Sequence, residues 1–190
     1  MSIKQKILRF LIENKEKTFS MYELAKAVKI DYKLVHTNVK KLQEDKSIIV
    51  EDLKSQKRCS FKDSFTEDVF IVESERRVDI LKKKEFKAIN EKLKSISKQF
   101  ILLLFGSHAK GTATKTSDID LLLISNSEDA KKIEEKLEIL PLKIHLTPIT
   151  YESFTDMLKT KEQTVVSEAL KKNIILYGIE DYYRIIQNAK

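Results

Sequence analysis

Apolar positions along the chain change their period part-way. Over the opening stretch they recur at helical spacing: Ile3, Ile7, Leu8, Leu11 and Ile12 predict a helix over residues 2–13. Ser20-x-x-Glu23 forms a capping box that opens a second helix through about Val28, with Tyr22, Leu24, Ala25 and Val28 apolar. After a break at Ile30 and Asp31, Asp31 can cap a third helix from Tyr32 to about Asp45, with Leu34, Val35, Val39 and Leu42 facing inward. Ile48-Ile49-Val50 and Arg58-Cys59-Ser60-Phe61 then read as two short strands around a polar tip from Asp52 to Lys57. Residues 63–83 give a mixed signal, with Val69 to Val72 suited to a strand and the charged run from Glu73 to a helix. No Pro-, Gly- or Ser-rich linker interrupts this connector, so packed rather than tethered domains are expected. Phe86, Ile89, Leu93 and Ile96 continue as an amphipathic helix over residues 84–98.

At Phe100 the pattern changes. Phe100 to Phe105 and Ile119 to Ile124 are apolar runs of strand length without alternation, as expected of strands buried on both faces. A helix around residues 128–140 follows, then a third strand from Leu142 to Thr147, fenced by Pro141 and Pro148, the only prolines. Residues 150–160 and 163–173 read as helices, Ile174 to Gly178 as a short apolar stop, and a last helix begins at about Ile179. The expected fold is therefore two domains: mainly α over residues 1–62, then a connector over 63–83. An α/β (α+β) domain follows over 84–190, with a small mixed sheet and C-terminal helices.

Charge adds to this division. Residues 1–62 hold 15 Lys and Arg against 8 Asp and Glu, whereas residues 63–190 hold 21 of each. Such segregation suits a segment that meets a polyanion. Arg76 and Arg77 can extend a basic surface, but Glu73, Glu75 and Asp79 balance them. No apolar run approaches the roughly 20 residues of a membrane span, and the N-terminus lacks the features of a signal peptide. The one cysteine, Cys59, excludes an intrachain disulfide and fits a cytoplasmic protein; with no motif around it, it reads as a half-buried strand residue. His36 has no partner at metal-ligand spacing and reads as a surface histidine.

Candidate chemistry concentrates between the two buried runs. The chain has three glycines, and two of them, Gly106 and Gly111, lie in this loop, where backbone geometry is the expected reason for them. Asp118 and Asp120, at spacing two on the edge of a strand, leave the same face and repel unless a cation joins them. The alternative is a capped loop end in a structural sheet.

Gly106-Ser107, ten residues, then Asp118-Ile119-Asp120, with Ala109-Lys110-Gly111, Ser117 and the Leu121-Leu122 continuation, resembles the signature of the minimal nucleotidyltransferases of the polymerase-beta-like superfamily. The three helices and basic hairpin of residues 1–62 resemble a winged helix-turn-helix domain. Phe154 and the closing Ile175-Leu176-Tyr177-Gly178 look like archaeal and other prokaryotic versions in which the two are fused. The resemblance implies a metal-dependent transferase that moves a nucleoside monophosphate from an NTP such as ATP to a hydroxyl. Gly106, Ser107, Lys110 and Gly111 would hold the triphosphate; Lys110 is as readily a plain surface charge. Asp118 and Asp120 would hold Mg²⁺ (or Mn²⁺). The family's third carboxylate is expected on the next strand, but Leu142 to Thr147 holds none. His145 stands at about that place as a catalytic candidate, Glu138 and Glu152 are fallbacks out of register, and His108 either contacts a nucleotide or lies exposed. The winged helix implies DNA binding through Lys33, Thr37, Asn38, Lys40 and Lys41 of the third helix (with His36 exposed beside them), and Lys54, Lys57 and Arg58 of the hairpin. A docking or dimerisation module is the alternative there, and a homodimer is compatible with the sequence. For the whole chain, the alternative is a DNA-binding regulator whose second domain binds nucleotide with little or no catalysis.

Overall fold

The computed structural model describes residues 1–53, 56–159 and 164–189. The chain divides into two compact units, residues 1–73 and 74–190. Unit 1 begins with α1 (Ile3–Glu13), whose Ser2 cap forms a capping box with Gln5. A two-residue strand, β1 (Phe19–Ser20), leads into α2 (Met21–Val28), where Ser20 and Glu23 form the expected box. Asp31 caps α3 (Tyr32–Glu44) by accepting from the backbone of Lys33 and Leu34. The hairpin strands β2 (Ile48–Leu53) and β3 (Gln56–Phe61) are longer than their apolar cores, because pairing continues through polar residues to Leu53↔Gln56. Lys54 lies outside the described residues. β1 pairs with β3, giving the sheet order β1-β3-β2.

Two apolar residues do not face the core. Val35, Val39 and Leu42 are buried at i, i+4 and i+7 on α3, but Leu34 sits about 100° away around the helix and is 47 % exposed. Tyr22 is 71 % exposed, which leaves Leu24 as the buried residue of α2. Cys59 is fully rather than half buried.

The connector is not a strand at Val69 to Val72 but part of α4 (Glu67–Leu81). Val69 and Val72 are fully buried, Phe70 between them is exposed, and Arg76 and Ile80 continue the buried stripe, a helical spacing with no alternation. The division between the units falls within this helix.

Unit 2 is built on a mixed sheet of order β6-β5-β4-β7. Its elements after α4 are α5 (Lys84–Leu93), β4 (Ile101–Leu104), α6 (Gly106–Lys110), β5 (Ile119–Ile124), α7 (Ser127–Glu138) and β6 (Ile144–Ile149). They continue as α8 (Tyr151–Lys159), α9 (Val165–Lys171), β7 (Ile174–Tyr177) and α10 (Ile179–Ala189). β4 is antiparallel to β5 and β7, while β5 and β6 run parallel. Central β4 is buried throughout, and β5 is buried except at Asp120, as their unbroken apolar runs require. One core cluster gathers Phe86, Ile89 and Leu93 of α5, Ile133 and Leu137 of α7 and alternate residues of the sheet, among them Leu102, Leu104, Ile119, Leu121 and Leu123.

Three sequence readings change here. The apolar stop Ile174 to Tyr177 is the strand β7; too short to show its period, it is strand because it pairs with central β4. Pro148 does not fence β6 but lies inside it, opposite Leu123. The Lys143 and Ile149 carbonyls accept from Ile119 and Ser125 on the β5 side, so odd-numbered residues bond inward, and Pro148 turns its missing N–H to the free edge. Arg76 and Arg77 do not extend a basic surface: Arg76 is buried and donates to the Asn173 carbonyl, and Arg77 bonds Asn90 and lies over the Tyr177 ring.

Candidate active site

Asp118 and Asp120 stand at the opening of β5, Asp118 exposed just before the strand and Asp120 half-buried within it. β4 and β5 bring Gly106 against Asp120, since the Phe105 N–H donates to the Asp120 carbonyl and extends the ladder by one residue. Gly106 has φ +65°, and a Cβ built there would lie 2.1 Å from Asp120 Oδ2. Both the left-handed backbone and the carboxylate pressed on its Cα therefore require glycine. Gly111 also has φ +75°, but only as the C-cap of α6, with open space where a Cβ would go.

Ser107 is half-buried in the first turn of α6, where N–H groups have no intrahelical acceptor. Its carbonyl accepts from the Thr112 N–H at 3.0 Å, which starts the return loop. Ser117 ties that loop just before Asp118: its hydroxyl accepts from the Thr114 N–H at 2.9 Å. His108, which the sequence left as a nucleotide contact or an exposed side chain, is not exposed. It is 9 % accessible, packs edge-on to Phe86, and its Nε2 lies 3.4 Å from the Ser117 carbonyl. Sequence gave no sign of this role, because nothing in a local pattern shows that α5 passes beneath α6. Lys110 pairs with Glu168 of α9 at 2.8 Å, a partner 58 residues away that spacing cannot reveal.

His145 is the parallel-register partner of Asp120, and its Nδ1 lies 3.5 Å from Asp120 Oδ1. The expected position beside the aspartate pair is thus filled by an exposed imidazole. His145 also borders a groove of about 350 Å³ with Glu134, Leu137, Glu138, Leu142, Ile144 and Leu146, so Glu138 shares its surroundings. Glu152 is exposed on α8. Among the described residues, no three His, Cys, Asp or Glu side chains gather closely enough to hold an ion by themselves. A site of two carboxylates, with one oxygen of Asp120 facing Gly106 and the other facing His145, does fit a hard cation that takes its remaining ligands from phosphate and water.

Residues 86–177 match the nucleotidyltransferase domain family. The match runs from Phe86 in α5 to Tyr177 at the end of β7 and so encloses the sheet, α6 and both aspartates. No curated protein matches the chain. Residues 86–177 are thus similar to a nucleotidyltransferase domain, a likeness that supports nucleotidyl transfer as the general chemistry of this segment. Among the described residues no helix is long and apolar enough to cross a membrane.

The residues expected to meet DNA lie in unit 1. Lys33, Lys40 and Lys41 are exposed on α3, and Lys57 is exposed on β3, 3.9 Å from Asp52. Thr37 and Asn38 bond back to the carbonyls of Lys33 and Leu34 on their own helix. Arg58 is the most engaged: its guanidinium holds Glu23 at 3.0 Å and the Thr18 carbonyl at 2.7 Å. Hydrogen bonds from Ser20, with Arg58 adding to them, pull the Glu23 carboxyl below its ordinary range. The charge asymmetry also changes once α4 is included. Unit 1 holds 15 basic against 12 acidic side chains, and residues 74–190 hold 21 against 17. The imbalance of residues 1–62 thus reflects where the acidic start of α4 falls, and local clusters matter more than the totals. Lys4 is held by Asp45 and Asp68 at 2.8 and 2.5 Å.

Proposed function

We propose that the chain transfers a nucleoside monophosphate from a Mg²⁺-bound NTP to an acceptor hydroxyl, releasing pyrophosphate. The observation that carries this is the Gly106 Cα seated on the Asp120 carboxylate at the mouth of β5. Asp118 and Asp120 would hold Mg²⁺ or Mn²⁺, which when bound stabilises charge on the leaving pyrophosphate and lowers the barrier to attack. The Ser107 hydroxyl and the first-turn amides of α6 bind phosphate oxygens. Lys110, released from Glu168, adds a cation at the phosphates. The acceptor oxygen forms a bond to the α-phosphorus as the bond to pyrophosphate breaks. His145 accepts the hydroxyl proton on Nε2, with Nδ1–H directed at Asp120. The acceptor enters from the groove that His145 borders.

Unit 1 acts in this reading as a winged helix-turn-helix domain that binds DNA, with α3 as the reading helix and Lys57 on phosphate. A second reading, a DNA-binding regulator whose nucleotidyltransferase domain binds nucleotide with little or no turnover, draws on one observation. Beside Asp120, β6 offers an imidazole rather than a carboxylate.

Incubation with each NTP labelled at the α-phosphate, Mg²⁺ and cell extract should label an acceptor with the wild type and not with the Asp118→Ala/Asp120→Ala variant. Metal-dependent NTP binding without transfer selects the regulator. Duplex DNA affinity should fall steeply with salt and weaken in Lys40→Ala/Lys41→Ala; salt-independent binding, or none, would leave unit 1 as a docking module.

A further inference from the structure

Unit 1 contains a cavity that the reading helix alone does not explain. It measures about 370 Å³ and is lined by Ser20, Met21, Tyr22, Tyr32, His36, Gln56 and Lys57, from the start of α2, one face of α3 and the hairpin. A second hollow of about 250 Å³ shares Met21, His36 and Lys57 and adds Val39, Lys40, Gln43 and Val50. The two adjoin through these shared residues to form one trough, with Tyr22 and Tyr32 in the first hollow, Lys40 in the second and Lys57 in both. Tyr22 and Tyr32 are 71 % and 49 % exposed, although neither is needed by the core that Leu24, Val35, Val39 and Leu42 complete.

We propose that this trough holds an unstacked base of a single-stranded nucleic acid, with Tyr22 and Tyr32 as stacking surfaces. The inference rests on the nucleic-acid reading of unit 1 and narrows its ligand from a duplex to a strand with unpaired bases. The chemistry is that of a stacking platform: flat aromatic faces accept any base, and adjacent cations follow the backbone. The volume admits one base with its sugar, and Gln56 and His36 offer donors and acceptors at its edge. Lys57 touches both hollows and Lys40 the second, so both can meet the phosphates on either side of that base. A stacked duplex has no base free to enter such a hollow. Unpaired bases occur in single-stranded DNA and in RNA, and the two share this chemistry; they differ at the 2′-hydroxyl.

The test uses the full chain and fluorescence anisotropy at fixed salt, with a labelled homopyrimidine DNA strand, the corresponding RNA strand and a DNA duplex. Single strands should bind more tightly than the duplex, and the tighter of the two names the source. Tyr22→Ala and Tyr32→Ala should each weaken strand binding about 5- to 150-fold, the range expected for losing one stacked base, while Tyr22→Phe keeps it. Both side chains are exposed enough that alanine leaves the fold intact, which circular dichroism checks. Tighter duplex binding, or alanine variants equal to wild type, would overturn the inference and leave duplex recognition by α3 standing. Binding to none of the probes would overturn both.

Discussion

Gly106→Ala separates the close approach of Asp120 to Gly106 at the candidate site from general effects of backbone conformation. The added Cβ would lie 2.1 Å from Asp120 Oδ2 and 3.0 Å from its Cγ. A carbon–oxygen contact needs roughly 3.3 Å, so the carboxylate must move by about 1 Å or the start of α6 must lift away. Residence in the left-handed region adds about 1–2 kcal/mol for a residue with a Cβ. Gly111→Ala is the internal control, because it carries the same backbone cost, at φ +75°, with open space around the new methyl. Urea denaturation should give a loss of about 1 kcal/mol for Gly111→Ala and about 2–4 kcal/mol for Gly106→Ala, where overpacking is added. Calorimetry with Mg²⁺–NTP should show a loss of affinity at least tenfold greater in the second than in the first. Equal stability losses and equal affinities in the two variants would refute the claim that Gly106 exists to admit the Asp120 carboxylate.

Gly178→Ala should cost at least as much stability as Gly106→Ala, about 2–4 kcal/mol, because its Cβ would meet the Phe100 carbonyl at 2.8 Å; since that neighbour is backbone, a far smaller loss on denaturation would contradict the packing of β7 on β4. Glu168→Gln should change stability by less than about 1 kcal/mol, as an exposed pair does, yet tighten Mg²⁺–NTP binding by releasing Lys110, whereas Lys110→Ala should weaken it. Burial pushes the Cys59 thiol up from 9.0 to about 11, so the native thiol should resist alkylation at pH 8 and react on unfolding. The unfolded thiol ionises first, so stability should fall as pH rises from 9 towards 11, and Cys59→Ala should remove part of that fall in thermal melts across the window.

What the sequence made legible depended on how local the cause was. Ser2, Ser20 and Asp31 cap their helices through bonds within three residues, and the starts of α1, α2 and α3 follow from them. β4 and β5 are evident from unbroken apolar runs, and the glycine and aspartate spacing pointed to one loop. The misreadings have non-local causes. β7 is strand only because β4 lies beside it, and Pro148 is tolerated only because β6 is an edge. Val69 to Val72 has the composition of a strand, but its buried positions are three apart, a period visible only once the core is known. The candidate site divides in the same way. Gly106, Asp118 and Asp120 were readable from spacing, whereas the burial of His108, the Glu168 partner of Lys110 and the Thr18–Glu23 clasp on Arg58 arise from chain segments that local pattern does not connect. His145 lies between these cases: the sequence puts it at about the place expected of a third carboxylate, and the parallel register sets it opposite Asp120.

In the proposed function, Asp118 and Asp120 hold a metal-bound nucleoside triphosphate against the Gly106–Ser107 turn. Isothermal titration of each NTP into the wild type and into Asp118→Ala/Asp120→Ala, with and without Mg²⁺, tests it most directly. At least one NTP should bind the wild type only when Mg²⁺ is present, and the double variant should lose this binding while its melting temperature is kept. Binding that is indifferent to Mg²⁺, or unchanged in the double variant, would contradict this reading.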